Sequence, residues 1–154
     1  MDMLVKLYDL PEWGELRDKM KEYGIVIRRP LSPEKGKIAK WIAGHFNENW
    51  RNEFEAGFPG FPVTSFIAVR DNELVGFACY DVTKRGFFGP TGVLEKERGK
   101  HIGKALLFYC LQAMWDEGYG YAIIGGTGPA EFYRKNAGAV PIEGSAPGVY
   151  RGML

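Results

Sequence analysis

The sequence predicts an α/β domain with a mixed, mostly antiparallel central sheet and helices on both faces. Three observations predict it. Apolar and β-branched runs are separated by short polar turns; one long, almost wholly apolar helical pattern lies between two strand-like runs; and Gly and Pro punctuate the ends of most segments. The first favours antiparallel neighbours, since short connections cannot cross a sheet, and the second is a strand-helix-strand crossover, which makes its two strands parallel.

In chain order, Met3 to Leu7 reads as a short strand, and a helix runs from about Trp13 to Tyr23, where Gly24 ends it. Ile25 to Arg28 reads as a strand. Ser32 is expected as the N-cap of a helix with Pro33 and Glu34 in its first turn and Ile38, Trp41, Ile42 and Phe46 at helical spacing. A short helix from Asn49 to Ala56 follows. Thr64 to Val69, Leu74 to Asp81 and Phe87 to Leu94 form a three-strand meander, with Asp71-Asn72-Glu73 and Thr83-Lys84-Arg85 as turns. From His101 to Glu117 apolar residues cover most of the helical surface, so this helix should be buried on most sides. Tyr121 to Ile124 is the parallel strand. A helix from about Ala130 to Asn136 ends at Gly138, and Val140 to Glu143 with Val149 to Met153 read as a terminal hairpin.

With 154 residues, 45% hydrophobic and 25% charged, the chain can close one core without disulfide or metal staples. No repeat or linker divides it, so a single domain over 1–154 is expected, with 1–23 as a strand-and-helix extension. A formal net charge of +1 gives no overall field to attract nucleic acid, and no nucleic-acid partner is expected. Cys79 and Cys110 lie inside apolar runs and read as reduced, buried thiols. No apolar stretch is long enough to span a membrane and no secretory leader is visible, so the cytoplasm is the default location. His45 and His101 are the only histidines, and neither Cys-x-x-Cys nor His-Glu-x-x-His occurs; no metal is expected. Monomer and homodimer both stay open.

The chemistry concentrates at Arg98-Gly99-Lys100-His101-Ile102-Gly103-Lys104, between a strand and the buried helix. Glycines let backbone N–H groups turn toward a ligand, and the helix start adds the positive end of a dipole. Arg98, Lys100 and Lys104 oppose that dipole unless an anion sits among them, which points to a di- or polyphosphate. The spacing is not that of a P-loop, because Gly99 and Gly103 enclose too few residues and Ala105 follows Lys104 where Ser or Thr is needed. Nor is Gly126-Thr127-Gly128-Pro129-Ala130-Glu131 a dinucleotide fingerprint, since Glu131 stands at the third glycine.

Arg98 to Gly103 resembles the pyrophosphate loop of the GCN5-related N-acetyltransferase (GNAT) superfamily, with His101 in place of that loop's first glycine. The order of elements from Gly24 to Leu154 is similar to that family's as well. Glu131-Phe132-Tyr133-Arg134-Lys135-Asn136 resembles its late helix. The resemblance implies the family's acyl-CoA fold and direct acetyl transfer from acetyl-CoA to an amine. It implies Tyr133 as the acid for the leaving thiolate, Phe132 as its packing partner, Arg98 to Lys104 on the pyrophosphate, and Val93 and Leu94 on the pantetheine arm.

For the base, Asp81 or a water held by Glu53 or Glu55 is expected. The segments Phe77 to Asp81, Phe87 to Val93, Tyr121 to Gly125 and Ile142 to Ser145 are similar to a bacterial branch that acetylates glucosamine and glucosaminides of cell-wall fragments. For such an acceptor, Trp50, Tyr80, Phe88 and Tyr150 are expected to stack on the sugar, with Asp81 or Glu55 meeting its amine. Transfer to a peptide, protein or polyamine amine, and a non-catalytic acyl-CoA sensor, are the competing expectations.

Overall fold

The computed structural model describes all 154 residues. Its elements are β1 (Met3–Lys6), α1 (Gly14–Glu22), β2 (Ile25–Arg28), α2 (Lys35–His45), α3 (Glu48–Glu55), β3 (Ser65–Arg70), β4 (Glu73–Tyr80), β5 (Phe87–Val93), α4 (Ile102–Asp116), β6 (Tyr121–Ile124), α5 (Ala130–Ala137) and β7 (Val140–Pro141). Short 3-10 turns occupy Leu7–Asp9, Ser32–Glu34, Glu95–Glu97 and Gly148–Tyr150. One seven-stranded sheet runs in the order β2-β3-β4-β5-β6-β1-β7. Only the β5–β6 pair is parallel, joined by α4 as the crossover. The mixed, mostly antiparallel sheet is therefore as expected.

Local sequence explains the elements. Asp71 and Asn72 both take left-handed backbone, with φ of 51° and 64°, and give the tight turn whose twist suits the β3–β4 hairpin. In α4 the apolar residues meet the sheet on one side and α1 on another, so Leu106, Leu107, Phe108 and Leu111 are all buried. The larger core lies on this face and includes Val5, Trp13 and Met20 from the N-terminal segment. The smaller core, on the other face, packs Ile38 and Ile42 of α2 and Phe54 of α3 against Ile67 and Phe77. Cys79 and Cys110 are free and buried, and burial raises both thiols well above the ordinary range, so neither is a nucleophile.

Two sequence expectations are corrected. Ser32 does not cap α2 with its side chain; it begins a 3-10 turn in which Glu34 accepts from the Leu31 N–H at 2.8 Å. The terminal hairpin does not form either. β7 is reduced to Val140–Pro141, and its neighbour is β1, which lies between β6 and β7 in register Met3↔Ile124 and Met3↔Pro141. Residues 149–153 form a 3-10 turn and a tail instead. Glycines and prolines around Ala146-Pro147-Gly148 break the extended run. The N-terminal strand and helix are thus part of the main sheet and core.

Candidate active site

The ladder between β5 and β6 is short: it joins Phe87 to Ile123 and Phe88 to Ile124 and then ends. Beyond it, β5 continues to Val93 paired with β4 only. The strands part there, and a cleft of about 1530 Å³ opens between them, walled by the 98–104 loop, α3, α5 and the 149–154 tail. Leu94 N–H donates to Val75 O at 2.9 Å. Because backbone groups alternate sides along a strand, those of Thr91 and Val93 face the side that β6 has left. Val93 thus offers an N–H into the cleft. Leu94 is corrected as a binding residue, since its N–H is spent on β4 and it does not line the cleft.

The 98–104 loop is a row of unused donors. No backbone N–H from Gly99 to Lys104 makes a hydrogen bond within the protein. Left-handed backbone at Gly99 (φ 90°) and His101 (φ 61°) turns this row into the start of α4. Below it, buried Glu97 pairs with Arg70 and, at 2.5 Å, with Lys100; Lys100 foremost, then Arg70, hold its carboxyl below the usual range. For Lys100 the correction concerns the side chain alone: its ammonium braces the loop through Glu97 and does not line the cleft, whereas Arg98 and Lys104 do, and its backbone N–H stays in the donor row.

His101 carries a Cβ in a conformation that glycine adopts freely. His101→Gly should keep acetyl-CoA affinity within about threefold and stability within about 1 kcal/mol, whereas β-branched His101→Val should lower both. Calorimetric titration and thermal melts of the two variants check this. Equal behaviour of the two would show that the left-handed turn does not matter.

Tyr133, on α5, lies 6.2 Å from Phe88 and 5.1 Å from Phe132, ring centre to ring centre. The residue is only 6% exposed, yet it lines the cleft and its hydroxyl has no protein hydrogen-bond partner. Burial pushes its phenol up to about 12, so it is a proton donor throughout the physiological range. The raised value has a consequence for stability. Between about pH 10 and 12 the unfolded chain releases this proton and the folded chain keeps it, so stability falls as pH rises. Urea melts from pH 9 to 11.5 should show the decline, and Tyr133→Phe should make it shallower by up to about 1.4 kcal/mol per pH unit.

At the other end, the Asn47 side chain caps α3 by accepting from Trp50 N–H at 2.9 Å. The helix then presents Asn49, Trp50, Asn52 and Glu53 to the cleft, with Tyr150 among the other lining residues. Glu53 accepts a hydrogen bond from Thr83 Oγ1. The asparagines were missed in the sequence, although the spacing of Asn49, Asn52 and Glu53 already puts them on one helical face.

Several expected acceptor residues are corrected. Asp81 does not line the cleft: its carboxylate accepts from Gly86 N–H at 2.6 Å and Tyr119 O–H at 2.8 Å, which fixes the β4–β5 turn. Glu55 is held by Arg51 at 3.2 Å outside the cleft. Tyr80 is fully buried, and its hydroxyl is engaged by Arg29 and Glu117 on the α4 side of the sheet. Phe88 lines the cleft but is 3% exposed and packs on Tyr133, leaving no ring face for a sugar.

Comparison with known proteins agrees with this geometry. Residues 31–139 match the family model described as the acetyltransferase (GNAT) family. Compared by sequence with curated proteins, the chain has no significant match. Among solved structures it is similar to a GCN5-related glucosamine N-acetyltransferase region of a fungal multi-domain GH3 beta-N-acetylglucosaminidase, with TM-score 0.72, 14% identity, and 88% of this chain and 19% of that one covered. It is also similar to a GCN5-related N-acetyltransferase from Sphaerobacter thermophilus (TM-score 0.66, 22% identity, 90% and 47% covered). A third is a GNAT family acetyltransferase from Brucella melitensis in complex with acetyl-CoA (TM-score 0.57, 19% identity, 72% and 80% covered). The chain spans about a fifth of the fungal protein and about half of the Sphaerobacter one.

Proposed function

This chain belongs to the GNAT acetyltransferase family, and from that premise we propose that it moves acetyl from acetyl-CoA directly to the primary amine of an amino sugar, glucosamine or a glucosaminide of a cell-wall fragment. The observation that carries this reading is one continuous cleft. It joins the unused N–H groups of Gly99 to Lys104, the unpartnered hydroxyl of Tyr133, and a polar wall on α3.

Each part has a task. The N–H row, with Arg98 and Lys104, suits the diphosphate of coenzyme A, because donors and cations converge at a helix start. Val93 N–H suits the thioester carbonyl, whose oxygen gains charge as the amine attacks. Glu53 takes the amine proton, directly or through water. Tyr133 then gives its proton to the departing sulfur. With a phenol near 12 and a thiol near 8.5, this transfer is uphill by about 3.5 units, or about 5 kcal/mol. A turnover of about 10 per second allows a barrier of about 16 kcal/mol, so the step fits within it. When bound, acetyl-CoA supplies the activated acyl group and a thiolate leaving group.

The α3 wall favours a sugar. Of the two acidic side chains in the cleft, Glu97 is neutralised by Arg70 and Lys100, which leaves Glu53 for the amine. Around it stand amides, a hydroxyl and the Trp50 ring, groups that suit a polyol carrying a single amine. A polyamine or basic peptide would favour several carboxylates. Thiol release measured against glucosamine, lysine and spermidine tests the reading. Glucosamine should exceed the others by tenfold or more in kcat/KM, and the reverse order rejects the sugar. Calorimetric binding of acetyl-CoA with transfer to no amine would establish the sensor instead.

A further inference from the structure

We propose that Asp2 is a positioning residue for the acceptor end of the cleft. The inference rests on the acetyltransferase reading but concerns a segment outside the family match, which begins at residue 31. Asp2 is 7% exposed and joins three stretches of chain that are remote in sequence. Its Oδ1 accepts from Gly126 N–H at 2.9 Å. Its own N–H donates to Ser145 Oγ at 2.8 Å, and its carbonyl accepts from Ile142 N–H at 2.8 Å. One residue earlier, Met1 O accepts from Thr127 N–H at 3.2 Å. The glycine loop that imitates a dinucleotide fingerprint thus spends successive donors on the N-terminus, leaving them unavailable to a phosphate.

Gly125, Gly126 and Thr127 line the cleft, and so does Tyr150; Asp2 does not. The Tyr150 hydroxyl lies 3.0 Å from where a Cβ on Gly125 would sit, so the ring rests directly on the loop that Asp2 holds. Asp2 Oδ2 lies 3.2 Å from where a Cβ on Gly148 would sit, which places the carboxylate against the turn carrying Tyr150. Both sides of this wall are therefore set by one side chain. The 98–104 loop has no contact with Asp2 among these hydrogen bonds. Asp2 should thus govern acceptor binding while leaving carrier binding alone.

The test compares wild type, Asp2→Ala and Asp2→Asn, since Asn keeps an acceptor for Gly126 N–H. In Asp2→Ala, KM for glucosamine should rise tenfold or more with KM for acetyl-CoA within twofold, and the Gly126 and Thr127 amides should exchange hydrogen at least a hundredfold faster. Asp2→Asn should restore all of these to within threefold of wild type. Unchanged KM values and exchange in Asp2→Ala overturn the proposal. So does a parallel loss in kcat and both KM values that Asn fails to rescue, which marks a merely structural role. If Asp2→Ala does not fold, Ser145→Ala removes the partner of the Asp2 N–H, together with the bond that the Ser145 hydroxyl donates to Ile142 O, leaves the Asp2 carboxylate in place, and should give the same split at about threefold; no split there is also a refutation. Should wild type transfer acetyl to no amine, the functional reading fails separately. Amide exchange and calorimetric coenzyme A affinity then decide the role of Asp2: faster exchange at unchanged affinity supports it, and unchanged exchange refutes it.

Discussion

Tyr133→Phe should lower turnover by about 10²- to 10³-fold, the usual contribution of a positioned general acid, with acetyl-CoA affinity within about twofold of wild type. The ring keeps its contacts with Phe88 and Phe132, so the packing of α5 on β5 is preserved and only the proton is removed. Stability at neutral pH should be nearly unchanged, because the hydroxyl, on the cleft lining, has no protein hydrogen bond to lose. Steady-state kinetics beside calorimetry separate the two effects. Wild-type turnover in the variant would remove Tyr133 from the mechanism.

Gly103→Glu should lower acetyl-CoA affinity by a hundredfold or more, about 2.7 kcal/mol, without lowering the melting temperature. A Cβ at Gly103 meets nothing closer than Val93 Cγ2 at 3.7 Å, so the backbone accepts a side chain there. A carboxylate in the first turn of α4 is favourable to the helix by about 0.3–1 kcal/mol. It also competes for the same N–H groups that the diphosphate needs. Opposite signs for stability and binding would show that the donors at this helix start serve the ligand. Unchanged affinity would place the diphosphate elsewhere.

The features legible in the sequence are those fixed by neighbours along the chain. The Asp71-Asn72 turn, the buried stripe of α4, Gly138 as a left-handed cap with φ 65° and the strand at Tyr121–Ile124 all depend on local patterns. The 98–104 loop was legible for the same reason. Features that depend on remote partners were not. Asp81 has a plausible position for a base at the end of a strand, but Tyr119 and the Gly86 N–H claim it. Tyr80 falls on the wrong face through strand parity: Ala78 and Tyr80 face α4, while Phe77 and Cys79 face α2 and α3. The β4–β5 ladder shifts register between Ala78 and Tyr80, and the β3–β4 ladder shifts earlier along β4, opposite Ala68 and Val69; no local signal in the residues reports either irregularity. Lys100 looked available because its partner Glu97 is buried, an unusual place for a carboxylate without cations beside it.

The place of β1 between β6 and β7 bears on how the sheet closes. β1 finds its neighbours, Tyr121–Ile124 and Val140–Pro141, only after β2 to β5 have all been made. Until then Met3 and Val5 have no partner strand, and closure of the sheet around β1 is a late event in folding. The half-made protein therefore carries an open strand edge at β6's future position, and it is at this stage that a chaperone would have most to protect.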